Sequence, residues 1–245
     1  MNEQQLSKRL ACVAAHVSDL NMVADIGSDH AYLPSFLCLE NPQVKAIAGE
    51  INEGPFQAAK SQVSQLGLTD RIDVRKGSGL DIMAPGEAEA VTIAGMGGGL
   101  IAAILEDGKE KLPGVTRLVL QPNNAARAVR EWLLENQWML LKEDIIDENN
   151  KIYEVLIAEP GLDQHRYQKD TEKKLLLGPH LMLEQNEAFI HKWTEEVENW
   201  KRVLVALEQG KEQEALQARK GMLIKKIEMV QEVLCNDTNN RPGCN

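Results

Sequence analysis

Val23-Ala24-Asp25-Ile26-Gly27-Ser28-Asp29-His30-Ala31-Tyr32-Leu33-Pro34 reads as a short buried strand, a small polar turn with one glycine, and the opening of a helix. Ala31, Leu33, Phe36 and Leu37 give that helix an apolar face. Pro34 is tolerable only in its first turn, where the missing N–H has no partner to lose. A strand passing through a tight turn into a helix N-terminus is how doubly wound folds build a nucleotide pocket. As a glycine fingerprint the stretch is poor, because Gly27 is followed by Ser28, Asp29 and Ala31 rather than by further glycines.

Support comes from downstream. Ala46-Ile47-Ala48-Gly49-Glu50 is a second apolar run closing on an acid, 23 positions after Gly27. That is near the spacing of about 20 expected of a carboxylate that binds a ribose hydroxyl pair at the end of strand two. A solvent-facing Glu at a strand end is the plainer alternative, and spacing with strand context favours the ribose role.

Outward from this core, Gln4 to Val17 carries Leu6, Leu10, Val13 and Val17 at helical spacing, with Lys8 and Arg9 on its polar side. Asn52 to Leu66 is a helix stopped by Gly67. Ile72 to Arg75 is a third strand leading into Gly77-Ser78-Gly79, and Ala90 to Ala94 a fourth, followed by a turn at Gly95-Met96-Gly97-Gly98-Gly99 and a helix from Leu100 to Leu105. Arg117 to Leu120 is a fifth strand, then Gln121-Pro122-Asn123 and a helix from Ala125 to Asn136. Met139 to Ile146 and Lys151 to Ala158 form a closing hairpin around Asp147-Glu148-Asn149-Asn150. Alternating strand–helix units with a terminal hairpin predict an α/β fold with a seven-stranded, mostly parallel sheet and one antiparallel strand. That is the Rossmann-like architecture of class I methyltransferases that use S-adenosylmethionine. A nicotinamide-binding fold would carry the fuller glycine motif and a sixth parallel strand.

Past Pro160-Gly161 the pattern changes. Leu183, Ile190, Trp193, Val197, Trp200, Leu204 and Leu207 form a heptad seam interrupted at Asn186, and Leu216, Leu223, Ile227, Val230 and Leu234 form a second. Gln209-Gly210-Lys211 breaks them, so the expected arrangement is an antiparallel coiled-coil hairpin. The expected domains are residues 1–160 and 161–245, with a disordered tail from about 236.

Composition narrows the function classes. The net charge is −10 over 245 residues, with a balance of −9 over residues 1–160 and −1 over residues 161–245. A bound polyanion would therefore need local basic patches. No apolar run is long enough to span a membrane, and Met1 to Leu10 is not a signal peptide. Cys12, Cys38, Cys235 and Cys244 have no paired metal-ligand spacing and read as reduced thiols of a cytoplasmic protein. No metal is expected.

Methyl transfer from a sulfonium needs little acid–base help. It needs the acceptor lone pair held in line at near-attack distance. The residues to watch thus sit at the carboxyl ends of strands one, four and five: Asp29, Tyr32, Gly95-Met96-Gly97 and Gln121-Pro122-Asn123. No Asn/Asp-Pro-Pro-Tyr motif of exocyclic-amine methyltransferases follows strand four.

Asp-Ile-Gly-Ser-Asp-His-Ala-Tyr-Leu-Pro (25–34), Ala-Gly-Glu (48–50), Gly-Pro-Phe (54–56), Ala-Gly-Met-Gly-Gly (94–98) and Leu-Gln-Pro-Asn (120–123) together closely resemble the bacterial TrmK family of tRNA (adenine(22)-N(1))-methyltransferases. The resemblance covers essentially the whole chain, including Tyr-Glu-Val-Leu-Ile-Ala-Glu (153–159). It implies S-adenosyl-L-methionine as cofactor and a ring nitrogen of an adenine in the D arm of tRNA as acceptor. It implies cofactor contacts at Asp25, Gly27, Ser28, His30, Glu50, Ile51, Gly77, Ser78, Gly79, Ala94, Gly95, Met96 and Gly97. The family commonly has an acid inside the glycine pair after strand three. Here that position is Ser78, and backbone groups or Asp81 are the substitutes for its adenine contact.

The methylated ring is cationic, so a carboxylate beside it stabilises the developing charge, and Asp29 is suited to that and to holding the exocyclic amine. An N-cap for the following helix is the alternative for Asp29. Tyr32 is suited to stack on an extruded base or to join the core. For tRNA contact the candidates are Asn123, Arg127, Arg130, Lys173 and Lys174, with further lysines along the hairpin; charged residues on such a surface are commonly only a solvated face. The hairpin could instead mediate weak self-association of an otherwise monomeric protein. A small-metabolite methyltransferase and a non-catalytic cofactor-binding scaffold are the competing functions.

Overall fold

A computed structural model describes residues 5–208 and 214–236. The break expected at Gln209-Gly210-Lys211 and the tail expected beyond residue 236 lie outside the described residues. Contacts divide the chain into two units, residues 1–168 and 169–245.

The first unit is a seven-stranded sheet between helices. Its strands are β1 (Met22–Ile26), β2 (Lys45–Glu50), β3 (Ile72–Lys76), β4 (Ala90–Gly97), β5 (Arg117–Asn124), β6 (Trp138–Glu148) and β7 (Lys151–Pro160). The order is β3-β2-β1-β4-β5-β7-β6, parallel from β3 to β5, with β7 antiparallel to both of its neighbours. Buried parallel strands are apolar on both faces, and alternate residues feed two cores. Ala24, Ile26, Ile47, Val91, Ile93, Leu118 and Leu120 pack with α4 (Gly98–Asp107) and α5 (Ala126–Glu135) through Ile101, Leu105, Val129 and Leu133. Val23, Ala46, Ala48, Ala90 and Val119 pack with α1 (Lys8–Ala15), α2 (Tyr32–Glu40) and α3 (Glu53–Gln65) through Val13, Leu33, Leu37, Ala59 and Val63. Each such Val, Leu or Ile contributes roughly 1.5–3 kcal/mol. The order reverses between β1 and β4, so a crevice opens at their carboxyl ends. No helix among the described residues is long and apolar enough to cross a membrane.

Two expectations are corrected in this unit. The boundary at 160 falls too early. α6 (Gln164–Tyr167) stays with the sheet because Tyr167 is buried and Asp163 accepts a hydrogen bond from the Leu140 N–H at 3.3 Å. Arg130, expected to face tRNA, is 0% exposed. Its Nε donates to Glu143 Oε1 of β6 at 2.6 Å, and its other end pairs with Glu154 of β7. The helix face carrying Val129, Trp132 and Leu133 turns inward, and Arg130 turns with it.

The second unit holds α7 (Thr171–Leu177), α8 (Leu181–Glu184), α9 (Glu187–Glu208) and α10 (Glu214–Asn236). Trp193, Val197, Ile227 and Val230 are buried along the two long helices as expected. Leu183, however, is 83% exposed. Gln185 takes φ 41 and ends α8, and Asn186 caps α9 by accepting the Phe189 N–H at 3.0 Å. The interruption in the seam is thus a helix start, and Phe189 is the buried residue. Lys173, a second expected tRNA contact, is also corrected. It is buried, with its Nζ 2.7 Å from Glu232 and 3.6 Å from Asp170, so its charge is spent within this unit.

Candidate active site

β1 ends on Ile26, and the chain then takes left-handed backbone at Gly27 (φ 70), Asp29 (φ 46) and Ala31 (φ 55) before entering α2. A Cβ on Gly27 would lie 2.3 Å from the Met96 Cε, so the flexible end of that methionine would have to move aside, and the left-handed backbone would strain any side chain there. Left-handed backbone at Asp29 and Ala31 costs on the order of 1–2 kcal/mol each, a strain that persists where surrounding contacts over-determine it. Those contacts are present. Glu50 at the end of β2 is buried and accepts the Asp29 N–H, and the Gly27 and Ser28 amides donate to the Gly49 carbonyl at 2.9 and 3.0 Å. The N-cap of α2 is Ala31, with no side-chain cap, so the capping alternative for Asp29 is removed. The Asp29 side chain is 66% exposed and accepts from or pairs with His30 Nδ1 at 2.7 Å. The His30 and Tyr32 rings stack at 5.3 Å.

Beneath the turn, Asp25 is 4% exposed. Ser28 Oγ donates to one of its oxygens and Thr92 Oγ1 to the other, both at 2.6 Å. Burial nevertheless pushes the carboxyl up to about 6, against the pull of the two hydroxyls. Burial also raises Glu50, while the Asp29 amide lowers it.

The glycine run after β4 is built differently from a plain turn. β4 continues to Gly97, and its register against β5 shifts around Met96, a bulge that takes Gly95 to φ 79. The bulge leaves backbone groups outside the regular ladder, and β5 side chains take them. Gln121 Oε1 accepts the Gly95 N–H at 3.0 Å, and Asn123 Nδ2 donates to the Gly95 carbonyl at 2.7 Å. Gln121 is fully buried and also accepts from Arg9 Nη1 at 2.7 Å. Arg9 lies 5.4 Å from the Tyr153 ring centroid. At Gly98, where α4 starts, a Cβ would be 2.2 Å from the Ala125 carbonyl oxygen.

One cavity of about 230 Å³ collects Asp25, Gly27, Ser28, Asp29, Tyr32, Ala94, Gly95 and Met96, together with Arg9, Leu10 and Leu33. Glu50 adjoins it through Asp29, and the Gly77 N–H donates to the Glu50 carbonyl at 2.9 Å, tying Gly77-Ser78-Gly79 to the same sheet end. Ser78 and Asp81 are exposed, and Ile51 is 59% exposed. Asn123 is exposed beside Gly95; Arg127 pairs with Glu131 at 2.7 Å one turn along α5. Lys174 is half-buried in the second unit.

Sequence reasoning placed Gln121 at this end of the sheet but missed Arg9 and Thr92 as members of the network. A polar Thr inside an otherwise apolar strand was the available signal, since a buried polar group needs a partner. Arg9 gave none, its partner being 112 residues away.

The family model for tRNA (adenine(22)-N(1))-methyltransferase matches residues 23–232. The tRNA (adenine(22)-N(1))-methyltransferase of Bacillus subtilis strain 168 is 45% identical over 235 residues, covering 96% of this chain and 99% of its own. The crystal structure of the B. subtilis M1A22 tRNA methyltransferase TrmK superposes with a TM-score of 0.90 at 45% identity, covering 94% of this chain and 99% of that one. A Streptococcus pneumoniae structure in complex with S-adenosyl-L-methionine superposes with a TM-score of 0.82 at 39% identity, over 94% and 100% of the two chains. This chain belongs to the TrmK family of tRNA (adenine(22)-N(1))-methyltransferases.

Proposed function

We propose that the protein methylates N(1) of an adenine in tRNA, position 22 by family membership, using S-adenosyl-L-methionine, and that Asp29 is its catalytic carboxylate. The observation that carries this reading is the placement of Asp29: exposed, on a strained turn, at the rim of the cavity where β1 and β4 diverge.

The donor set suits the cofactor. Glu50 is a buried carboxylate at the end of β2, where a ribose diol is held in this architecture. Gly27 and Gly95 keep backbone exposed to close approach, and the cavity carries carboxylates suited to a cationic ligand. Once bound, the cofactor supplies an electrophilic methyl on a sulfonium.

The chain's own residues do the rest. The adenine N(1) lone pair lies in the ring plane, so the base must be unpaired and drawn into the cavity. Asp29 accepts a hydrogen bond from its exocyclic amine, which sets the ring's orientation. As the N–CH₃ bond forms and the S–CH₃ bond breaks, the ring becomes cationic, and the same carboxylate faces that charge. No proton has to leave, so no base is required. His30 has a positioning role, through its 2.7 Å contact to Asp29 and its stacking on Tyr32. Tyr32 and Asn123 contact the base, and tRNA phosphates meet exposed basic side chains of the second unit such as Lys169 and Lys225.

The test is transfer of labelled methyl to unmodified tRNA by wild type, Asp29→Asn and Asp29→Ala, with cofactor binding measured on each. The expected result is 1-methyladenosine from wild type and a loss of roughly 10²–10³ in kcat for the variants at unchanged cofactor affinity. Full activity in Asp29→Asn, or label on another atom, overturns the assignment.

A further inference from the structure

The helix that carries Arg9 has a second polar cluster, away from the cavity. Cys12 and His16 are four residues apart, which places both on one face, and Asp144 of β6 stands opposite. Cys12 Sγ donates to Asp144 Oδ2 at 3.5 Å, and His16 Nε2 meets the same oxygen at 2.5 Å. Sulfur, ring nitrogen and carboxylate oxygen all lie within 4.8 Å of one another, and all three residues are half-buried.

We propose that Cys12, His16 and Asp144 form a zinc(II) site, completed by a water, that staples the N-terminal helix to β6. Zn–S near 2.3 Å with Zn–N and Zn–O near 2.0–2.1 Å gives ligand separations of roughly 3.3–3.6 Å in a tetrahedron. The sulfur–oxygen distance already matches at 3.5 Å, and the nitrogen–oxygen pair opens by about 0.8–1 Å to admit the ion. Thiolate, imidazole and carboxylate together suit borderline-soft zinc over magnesium or calcium, which take oxygen alone. Thiolate and carboxylate balance the ion's two charges. Lys142 Nζ is 2.9 Å from Asp144 Oδ1, so it engages the oxygen that the metal does not need. Arg117 Nη1 donates to the His16 carbonyl at 3.1 Å and holds the chain where the second ligand leaves the helix.

Coordination replaces the Cys12 S–H bond with a metal–sulfur bond and releases the proton to solvent, so affinity rises with pH. The cysteine spacing gave no hint of the site, since its three ligands are of three kinds and one lies 128 residues from the next. Arg9 is one turn before Cys12, so occupancy also steadies the side chain that holds Gln121.

The test titrates metal-free full-length protein with cobalt(II). One equivalent should raise a thiolate-to-cobalt charge-transfer band in the near ultraviolet with intense tetrahedral visible bands, and zinc(II) should displace it. Cys12→Ser should lose the charge-transfer band while melting like wild type in chelator. Zinc should raise the Tm of wild type and leave that of Cys12→Ser unmoved. Absence of the band in wild type, or its persistence at full intensity in Cys12→Ser through another thiol, overturns the proposal.

Discussion

Replacing Arg130 by methionine strips a guanidinium from between two carboxylates that are 0% and 2% exposed. Breaking a buried ion pair by removing one partner costs about 3–5 kcal/mol, because the other charge stays buried and uncompensated. Here one guanidinium serves Glu143 and Glu154 together, which puts the expected loss near the upper end, about 5 kcal/mol. At about 2–4 °C per kcal/mol for a unit of this length, Tm should fall by roughly 10–20 °C. Thermal melts of Arg130→Met and wild type at pH 7 measure it. Replacing Glu143 and Glu154 with apolar residues alongside Arg130→Met should recover most of the loss, as buried ion triads exchange for apolar packing at little cost. A variant that melts within about 2 °C of wild type, and instead binds tRNA more weakly with a shallower salt dependence, would refute the reasoning and put Arg130 against phosphate.

Asp25→Asn keeps the shape of the contact with Ser28 and Thr92 and removes a buried charge. The folded carboxyl titrates near 6 against 3.8 unfolded, so the folded state binds more protons between these values. Stability therefore falls as pH rises through that window, and the penalty is complete above it, about 2–3 kcal/mol by linkage. Asp25→Asn should accordingly melt higher than wild type at pH 7.5 and match it near pH 3.5, as read by paired thermal melts, while binding cofactor less tightly. Gly98→Ala drives a methyl to 2.2 Å from the Ala125 carbonyl and should cost roughly 1–3 kcal/mol by urea unfolding. Gln121→Leu leaves the Gly95 N–H and Arg9 without their acceptor and should cost about 1–3 kcal/mol and lower methyl transfer in the labelled-tRNA assay.

The sheet was legible because buried parallel strands are near-continuous apolar runs, and Ala90 to Ala94 or Arg117 to Leu120 could be little else. Ends were harder: β4 runs on to Gly97 because a bulge, absorbed by Gln121 and Asn123, keeps a glycine run in the strand. Glu50 was readable from its spacing to Gly27 and Asp29 from its place at the end of strand one, while Asp25 came only with the family resemblance. Arg9, whose partner lies across the sheet, was not readable. Arg130 looked like a solvent-facing neighbour of Arg127, since the carboxylates that draw it inward come from 13 and 24 residues downstream. The seam through Leu183 failed for a local reason: periodicity continues across Gln185 and Asn186, but the helix does not.

β7 is the last strand of the first unit to leave the ribosome, yet it is not an edge of the sheet. It fills the slot between β5 and β6. Until residues 151–160 emerge, the strand that carries Gln121 and Asn123 has a bare backbone edge, and β6, already synthesised, has no sheet to join. Everything that lines the cavity has been translated well before that moment. The nascent chain thus holds its chemistry in hand while lacking the one strand that closes its sheet, so a stall or truncation before residue 160 yields a sticky intermediate rather than a smaller enzyme.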